Sequence, residues 1–133
     1  MQRSRDTALV LVVDPHEDSR EMYARYLSQR GYLVARAATP DQGFERAVSL
    51  RPEVIVIDLP HREPESWSIL GRFSADDRTR DAKVVVVSSW TEAVFADRAR
   101  TLGCAAFLEK PCPPETLSAT IRYVRGTARP PES

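Results

Sequence analysis

The sequence predicts an α/β protein: one doubly wound, five-stranded parallel sheet with helices on both faces, a three-layer arrangement. Three observations carry that expectation. First, the apolar runs ALVLVV (8–13), VIVI (54–57) and VVVV (84–87) are short, β-branched and continuous, which suits strands covered on both faces. Second, the segments between them carry apolar residues at helical spacing. Third, the order is strand then helix, five times over, which implies parallel strands joined by right-handed crossovers.

The elements follow in order. After the first strand, Met22, Tyr23, Tyr26 and Leu27 form the stripe of a helix. Asp18 and Glu21 have the spacing of a capping box, and Gly31 sits where a helix C′ glycine belongs. The weaker run YLVARAA (32–38) is the second strand. Thr39 with Gln42, and Pro40 at the first helical position, start a helix carrying Phe44, Ala47 and Val48. The third strand, 54–57, leads to a stripe of Ile69, Leu70 and Phe73. The fourth, 84–87, is followed by Ser89 and Glu92 at capping-box spacing, in a helix closed by Gly103. The short run CAAFL (104–108) is the fifth strand. A final helix begins near Pro113–Pro114 and shows Leu117, Ile121 and Val124 at i, i+4, i+7; GTARPPES after it reads as a polar tail.

Composition narrows the function classes. The 133 residues suit one domain, and 42% apolar with 29% charged residues is the profile of a folded chain rather than a disordered one. Nineteen basic residues balance nineteen acidic ones, so the basic surplus of an electrostatic nucleic-acid binder is missing. No apolar run reaches the roughly 18 residues of a membrane span, and MQRSRDT is too polar for a signal peptide. The expected location is cytoplasmic, with neither nucleic acid nor membrane as partner. Cys104 and Cys112 match no zinc pattern and are too few for a disulfide framework.

In open α/β sheets, ligands bind beyond the carboxyl ends of the strands, where the strand order reverses. The residues just past the runs are Asp14-Pro15-His16, Asp58-Leu59-Pro60, Ser88-Ser89-Trp90 and Glu109-Lys110-Pro111. Taken singly each has a plain structural reading: Asp14 a helix cap (though Asp18 is better placed), Asp58 a turn residue, Lys110 a solvated lysine. Together they bring two carboxylates, a hydroxyl and an ammonium to one edge. That set suits phosphoryl transfer onto a carboxylate, with a hard cation and the lysine offsetting phosphoryl charge and the hydroxyl hydrogen-bonding the product. A dehalogenase-type phosphatase would want an acid where His16 stands, and DPHEDS lacks the glycines of a nucleotide-binding loop.

Over residues 8–125 the chain resembles the receiver domain of two-component response regulators, the CheY-like family, in LVLVVDPHEDSREMY, PEVIVIDLP, KVVVVSS and FLEKP. The resemblance implies the flavodoxin-like, (βα)5 fold, with residues 1–7 an extension and 126–133 a disordered tail or the start of a linker. It places Asp58 on the phosphoacceptor, Asp14 on the first of two adjacent acids, Ser88 and Phe107 on the switch positions, Lys110 on the lysine and Pro111 on a cis proline. It further implies a Mg2+ ion held by Asp14, Asp58 and the Pro60 carbonyl. The implied donor is a phosphohistidine on a sensor histidine kinase or histidine phosphotransfer protein. The implied response is repacking of the fourth helix, fifth strand and fifth helix, the surface where a downstream protein would bind and where receivers often pair as weak homodimers. No separate enzymatic activity is expected beyond the receiver's own phosphoryl transfer. With eight residues after the last helix, no output module is expected within the chain.

The chain departs from that pattern in three places. Pro15 stands where the family has its second acid, which removes a metal ligand and should lower Mg2+ affinity by about 10–100-fold. Glu17 is the candidate to compensate, because Mg2+ favours oxygen over the nitrogen of His16. His16 and His61 both lie near the edge but, without further soft ligands, are read as surface residues. The loop PHREPESW (60–67) lacks the family's glycine and is stiffened by Pro60 and Pro64. Trp90 lies two residues past Ser88, either covering the sheet edge or contacting a partner. Two functions remain: a phosphorylatable receiver, or a pseudo-receiver binding protein without phosphorylation because of Pro15.

Overall fold

The computed structural model describes residues 7–126. The elements are β1 (Leu9–Val13), α1 (Glu17–Gln29), β2 (Leu33–Ala37), α2 (Pro40–Leu50), β3 (Val54–Asp58), α3 (Pro64–Ala75), β4 (Lys83–Ser88), α4 (Ala93–Thr101), β5 (Ala106–Glu109) and α5 (Pro114–Val124). All four strand pairings are parallel, in the order β2-β1-β3-β4-β5. The fold is the doubly wound α/β sandwich that the alternation of runs and stripes predicts.

The continuous apolar runs are explained by parity. In β1, β3 and β4, Leu11, Val13, Ile55, Ile57, Val84 and Val86 face one way and pack with α2, α3 and α4, among them Ala47, Trp67, Phe73 and Phe95. Val10, Val12, Val54, Val56, Val85 and Val87 face the other way and pack with Tyr23, Leu27, Leu117 and Ile121 of α1 and α5. Each run therefore buries both of its faces. The edge strand β2 is partly open, with Leu33 46% exposed, which is why its run is weaker.

Three helices, α1, α4 and α5, are followed by left-handed glycines, the last being Gly126 (φ +81°). Gly31 (φ +96°) and Gly103 (φ +100°) follow α1 and α4. Tyr32 N–H donates to the Leu27 carbonyl and Gly31 N–H to that of Ser28; Cys104 and Gly103 do the same toward Ala99 and Arg100. Both ends are Schellman motifs, which satisfy the last carbonyls of each helix. Thr39 caps α2, accepting the Gln42 N–H at 3.1 Å.

Several boundaries differ from expectation. The N-cap of α1 is His16, not Asp18, and Ser89 does not cap α4, whose N-cap is Glu92. Neither His16 nor Glu92 makes a side-chain cap hydrogen bond. Cys104 and Ala105 belong to the turn closing α4, so β5 begins only at Ala106. Half of the expected 60–67 loop is already helix, because Pro64 occupies the first position of α3. Residues 1–6 and 127–133, which include most of the expected extension and tail, lie outside the described residues.

Candidate functional site

The strand order reverses between β2-β1 and β3-β4-β5, and the candidate residues stand at the carboxyl ends flanking that point. Backbone pairing continues past the strands and fixes each one: Asp14 N–H donates to Ala37, Leu59 N–H to Val87 and Lys110 N–H to Ser88. Asp14, Asp58 and Ser88 are all buried.

Lys110 Nζ donates to Asp58 Oδ2 at 2.5 Å. The other oxygen, Asp58 Oδ1, is buried without a hydrogen-bond partner. Asp14 Oδ1 accepts the backbone N–H of His16 at 2.8 Å, closing a tight turn into α1. Burial pushes the Asp14 carboxyl above its usual range; the His16 N–H opposes that, and the charge of Asp58 adds to it. The Arg20 guanidinium bonds the Asp14 backbone carbonyl at 3.0 Å. The Lys110–Pro111 peptide bond is cis.

Only one of the two histidines near this edge, His16, joins the carboxylates. His16 Nδ1 lies 3.3 Å from Asp14 Oδ1 and 3.6 Å from Asp58 Oδ2. Asp14, His16 and Asp58 are the group of potential metal ligands found among the described residues, each offering an atom within 4.8 Å of the others. Neither His61 nor Glu17, the expected compensating acid, belongs to it; Glu17 is exposed on the first turn of α1. The signal for His16 was its offset from Asp14: an acid whose side chain accepts the N–H two residues on draws that residue back over itself. Two close carboxylates with an orphaned buried oxygen fit a divalent cation.

Ser88 Oγ donates to the Leu59 carbonyl at 3.1 Å and accepts the Trp90 N–H at 3.0 Å. Trp90 Nε1 donates to the Pro60 carbonyl at 3.0 Å, so that expected metal ligand already holds an indole N–H. The Trp90 ring packs 6.0 Å from Phe95 and beneath the Arg62 guanidinium, 5.1 Å away. Trp90 therefore covers the sheet edge and also ties the loop after β4 to the loop after β3. Phe107 is half-buried, its ring 6.1 Å from that of Trp67. Trp67 escaped the sequence reading: it is fully buried and donates Nε1–H to the His61 carbonyl at 2.6 Å. Its spacing from Leu70 was a helical signal, masked by taking Pro60 and Pro64 as loop markers.

Beside Asp14, Asp58 and Lys110 lies a cavity of about 450 Å³ that continues past Met22, Tyr23 and Cys112. Tyr23 donates its hydroxyl to the Cys112 carbonyl at 2.7 Å, tying α1 to the segment before α5.

A parallel α/β sheet with acids, a hydroxyl and a lysine at its reversal point defines a class, and the comparisons specify it. The model of the response regulator receiver domain matches residues 10–122, and the chain belongs to that family. The polar-differentiation response regulator DivK of Brucella anthropi is 24% identical over 119 residues, 90% of this chain and 97% of its own length. A protein-glutamate methylesterase/protein-glutamine glutaminase of Anaeromyxobacter dehalogenans is 34% identical over 122 residues, 90% of this chain but 35% of its own length. The chain thus spans about a third of that relative. Among solved structures, the chemotaxis protein CheY4 of Vibrio cholerae superposes with a TM-score of 0.81 at 24% identity, over 89% of this chain and 98% of its own. A response regulator from Burkholderia pseudomallei with a phosphorylated aspartic acid, calcium ion and citrate gives 0.74 at 27%, over 84% and 65%. No helix among the described residues is long and apolar enough to cross a membrane.

Proposed function

We propose that the chain is a phosphoacceptor receiver in a two-component phosphorelay, with Asp58 as the accepting residue. The observation that carries this is the Lys110 ammonium 2.5 Å from Asp58 at the end of β3, with Asp14 and Ser88 on the flanking strand ends. An Asp58 oxygen attacks the phosphorus of a phosphohistidine; the phosphorus–nitrogen bond breaks, its electron pair returns to the imidazole, and that nitrogen takes up a proton. Lys110 balances charge gathered on the phosphoryl oxygens. Asp14 and Asp58 are the carboxylates that hold a divalent cation, Mg2+ in the family at large. When bound, the cation screens Asp58 from the incoming phosphate and neutralises its oxygens. Ser88 exchanges its bond to Leu59 for one to the acyl phosphate, and Phe107 responds by repacking against Trp67. The partners of this reading are a cytoplasmic histidine kinase or phosphotransfer protein and a downstream protein that reads α4, β5 and α5. The related Burkholderia regulator, with its phosphorylated aspartic acid, supports it.

A second reading, the pseudo-receiver, is favoured by two contacts: His16 already neighbours both carboxylates, and Trp90 already occupies the Pro60 carbonyl. Incubation with acetyl phosphate and a divalent cation separates the readings by intact mass. A cation-dependent phosphoryl adduct on the wild type, missing from Asp58→Asn, is the result expected of the phosphoacceptor. No adduct on the wild type, but one on Pro15→Asp, identifies the pseudo-receiver.

A further inference from the structure

Two oxygen donors of the family's magnesium site are altered here, and a nitrogen donor stands among those that remain. Pro15 offers no carboxylate, and the Pro60 carbonyl accepts the Trp90 indole N–H at 3.0 Å. In their place the His16 ring comes within 3.3 Å of Asp14 and 3.6 Å of Asp58 through the same nitrogen, Nδ1. Its placement is not a free side chain's choice. His16 is the N-cap of α1, and its own N–H is held by Asp14 Oδ1 at 2.8 Å, which fixes the backbone from which the ring projects. The Nδ1–oxygen separations of 3.3 and 3.6 Å fall inside the span of up to about 4.4 Å that bonds of about 2.0–2.2 Å allow, and the three residues offer ligand atoms within 4.8 Å of one another. The Asp58 oxygen facing His16 is Oδ2, which also accepts Lys110, while the other, Oδ1, is buried and unpartnered; the His16 side chain is 60% exposed and leaves the remaining positions open to water.

The chemistry of that donor set differs from the family's. Mg2+ is hard, takes near-octahedral oxygen shells and depends on ligand charge. Here two carboxylates remain, and Lys110 offsets part of their charge. Imidazole nitrogen adds little for Mg2+ but binds the later first-row dications well, with affinity rising from Mn2+ through Co2+ to Cu2+ and falling again at Zn2+. We infer that Asp14, His16 and Asp58 form a mixed oxygen–nitrogen site for a first-row transition dication, with His16 as a direct ligand through Nδ1. The inference deepens the proposed function, naming the ion class of the same site, and rests on that reading for where the cation sits.

Direct binding tests it without phosphoryl transfer. Tag-free full chain is titrated with Co2+, followed by visible absorption and calorimetry, and separately with Mg2+. The wild type, His16→Leu, His16→Gln and His61→Leu are compared after their thermal melting confirms folding. The expected result is one Co2+ per chain, bound at least about ten-fold more tightly than Mg2+. Both His16 variants should weaken Co2+ by at least about ten-fold while leaving Mg2+ unchanged, and His61→Leu should change neither. Equal Co2+ affinity in wild type and His16 variants overturns the inference, as does Co2+ binding lost in His61→Leu, or no Co2+ binding at all. Phosphodonor labelling is scored apart. A chain that is labelled on Asp58 without His16-dependent binding contradicts this inference alone; His16-dependent binding without labelling contradicts only the phosphoacceptor reading.

Discussion

Asp58 has one oxygen paired to Lys110 and the other without a partner, and each half of that asymmetry has a consequence. Removing the ammonium with Lys110→Met leaves a buried carboxylate beside Asp14 with no cation on its Oδ2. Labelling by acetyl phosphate should fall by about 100-fold, the loss typical when one preorganised donor is taken from a developing oxyanion, while the fold is retained; stopped mass measurements check it. Trp90→Phe keeps an aromatic ring over Phe95 but frees the Pro60 carbonyl. Divalent-cation affinity should rise several-fold, and stability should drop by about 1 kcal/mol for the lost hydrogen bond; calorimetry reads the first and denaturant unfolding the second. Tyr23 supplies a pH-dependent case. Burial, with the charges of Cys112, Asp14 and Asp58 behind it, pushes its hydroxyl up to about 12 from an ordinary 10. Because the folded value is raised, the contribution is full below pH 10 and is lost as pH rises through 12, a difference on the order of 2–3 kcal/mol. The stability gap between wild type and Tyr23→Phe should therefore be constant at neutral pH and close between pH 10 and 12.

Among the elements, α4 and α1 end in the same motif under different pressure. A Cβ on Gly31 would meet nothing within 4 Å, whereas one on Gly103 would come within 2.1 Å of Ser74 Oγ. That hydroxyl is not free to swing away, since it donates to the Leu102 carbonyl at 2.7 Å and the Leu70 carbonyl at 3.1 Å. Gly31→Ala should lose about 1 kcal/mol from its left-handed backbone alone, and Gly103→Ala distinctly more; paired thermal melts decide the order. Legibility varied with the kind of signal. Glycine stops, Thr39 and the proline starts were readable because the chemistry is local to the residue. Asp18 and Ser89 misled because a spacing says nothing about where the preceding chain enters: Asp14 pulls His16 into the cap of α1, and α4 starts only at Ala93, after the chain past Ser89 has run on to a cap at Glu92. Trp67 was hidden for a related reason, its helix beginning at a proline that also reads as loop.

For the whole molecule, the sheet and its two helical layers were legible because parity and run length are properties of the chain itself. The ends of the strands were legible too, and with them Asp14, Asp58, Ser88 and Lys110. What the chain alone did not reveal are contacts between loops from different strands: His16 over two carboxylates, and Trp90 reaching from the end of β4 to the Pro60 carbonyl after β3. Those contacts decide how far the site has moved from an all-oxygen magnesium centre, and both depend on side-chain directions that no spacing rule encodes.

The central claim is that Asp58 accepts the phosphoryl group, and its most direct test locates the acyl phosphate chemically. After treatment with acetyl phosphate and a divalent cation, borohydride reduces a phosphoaspartyl group to homoserine, and tandem mass spectrometry of the peptides finds the residue. Homoserine at position 58, and at neither Asp14 nor any other acid, is the predicted result. Homoserine at another position, or at none while the protein is folded and cation-loaded, would contradict the account.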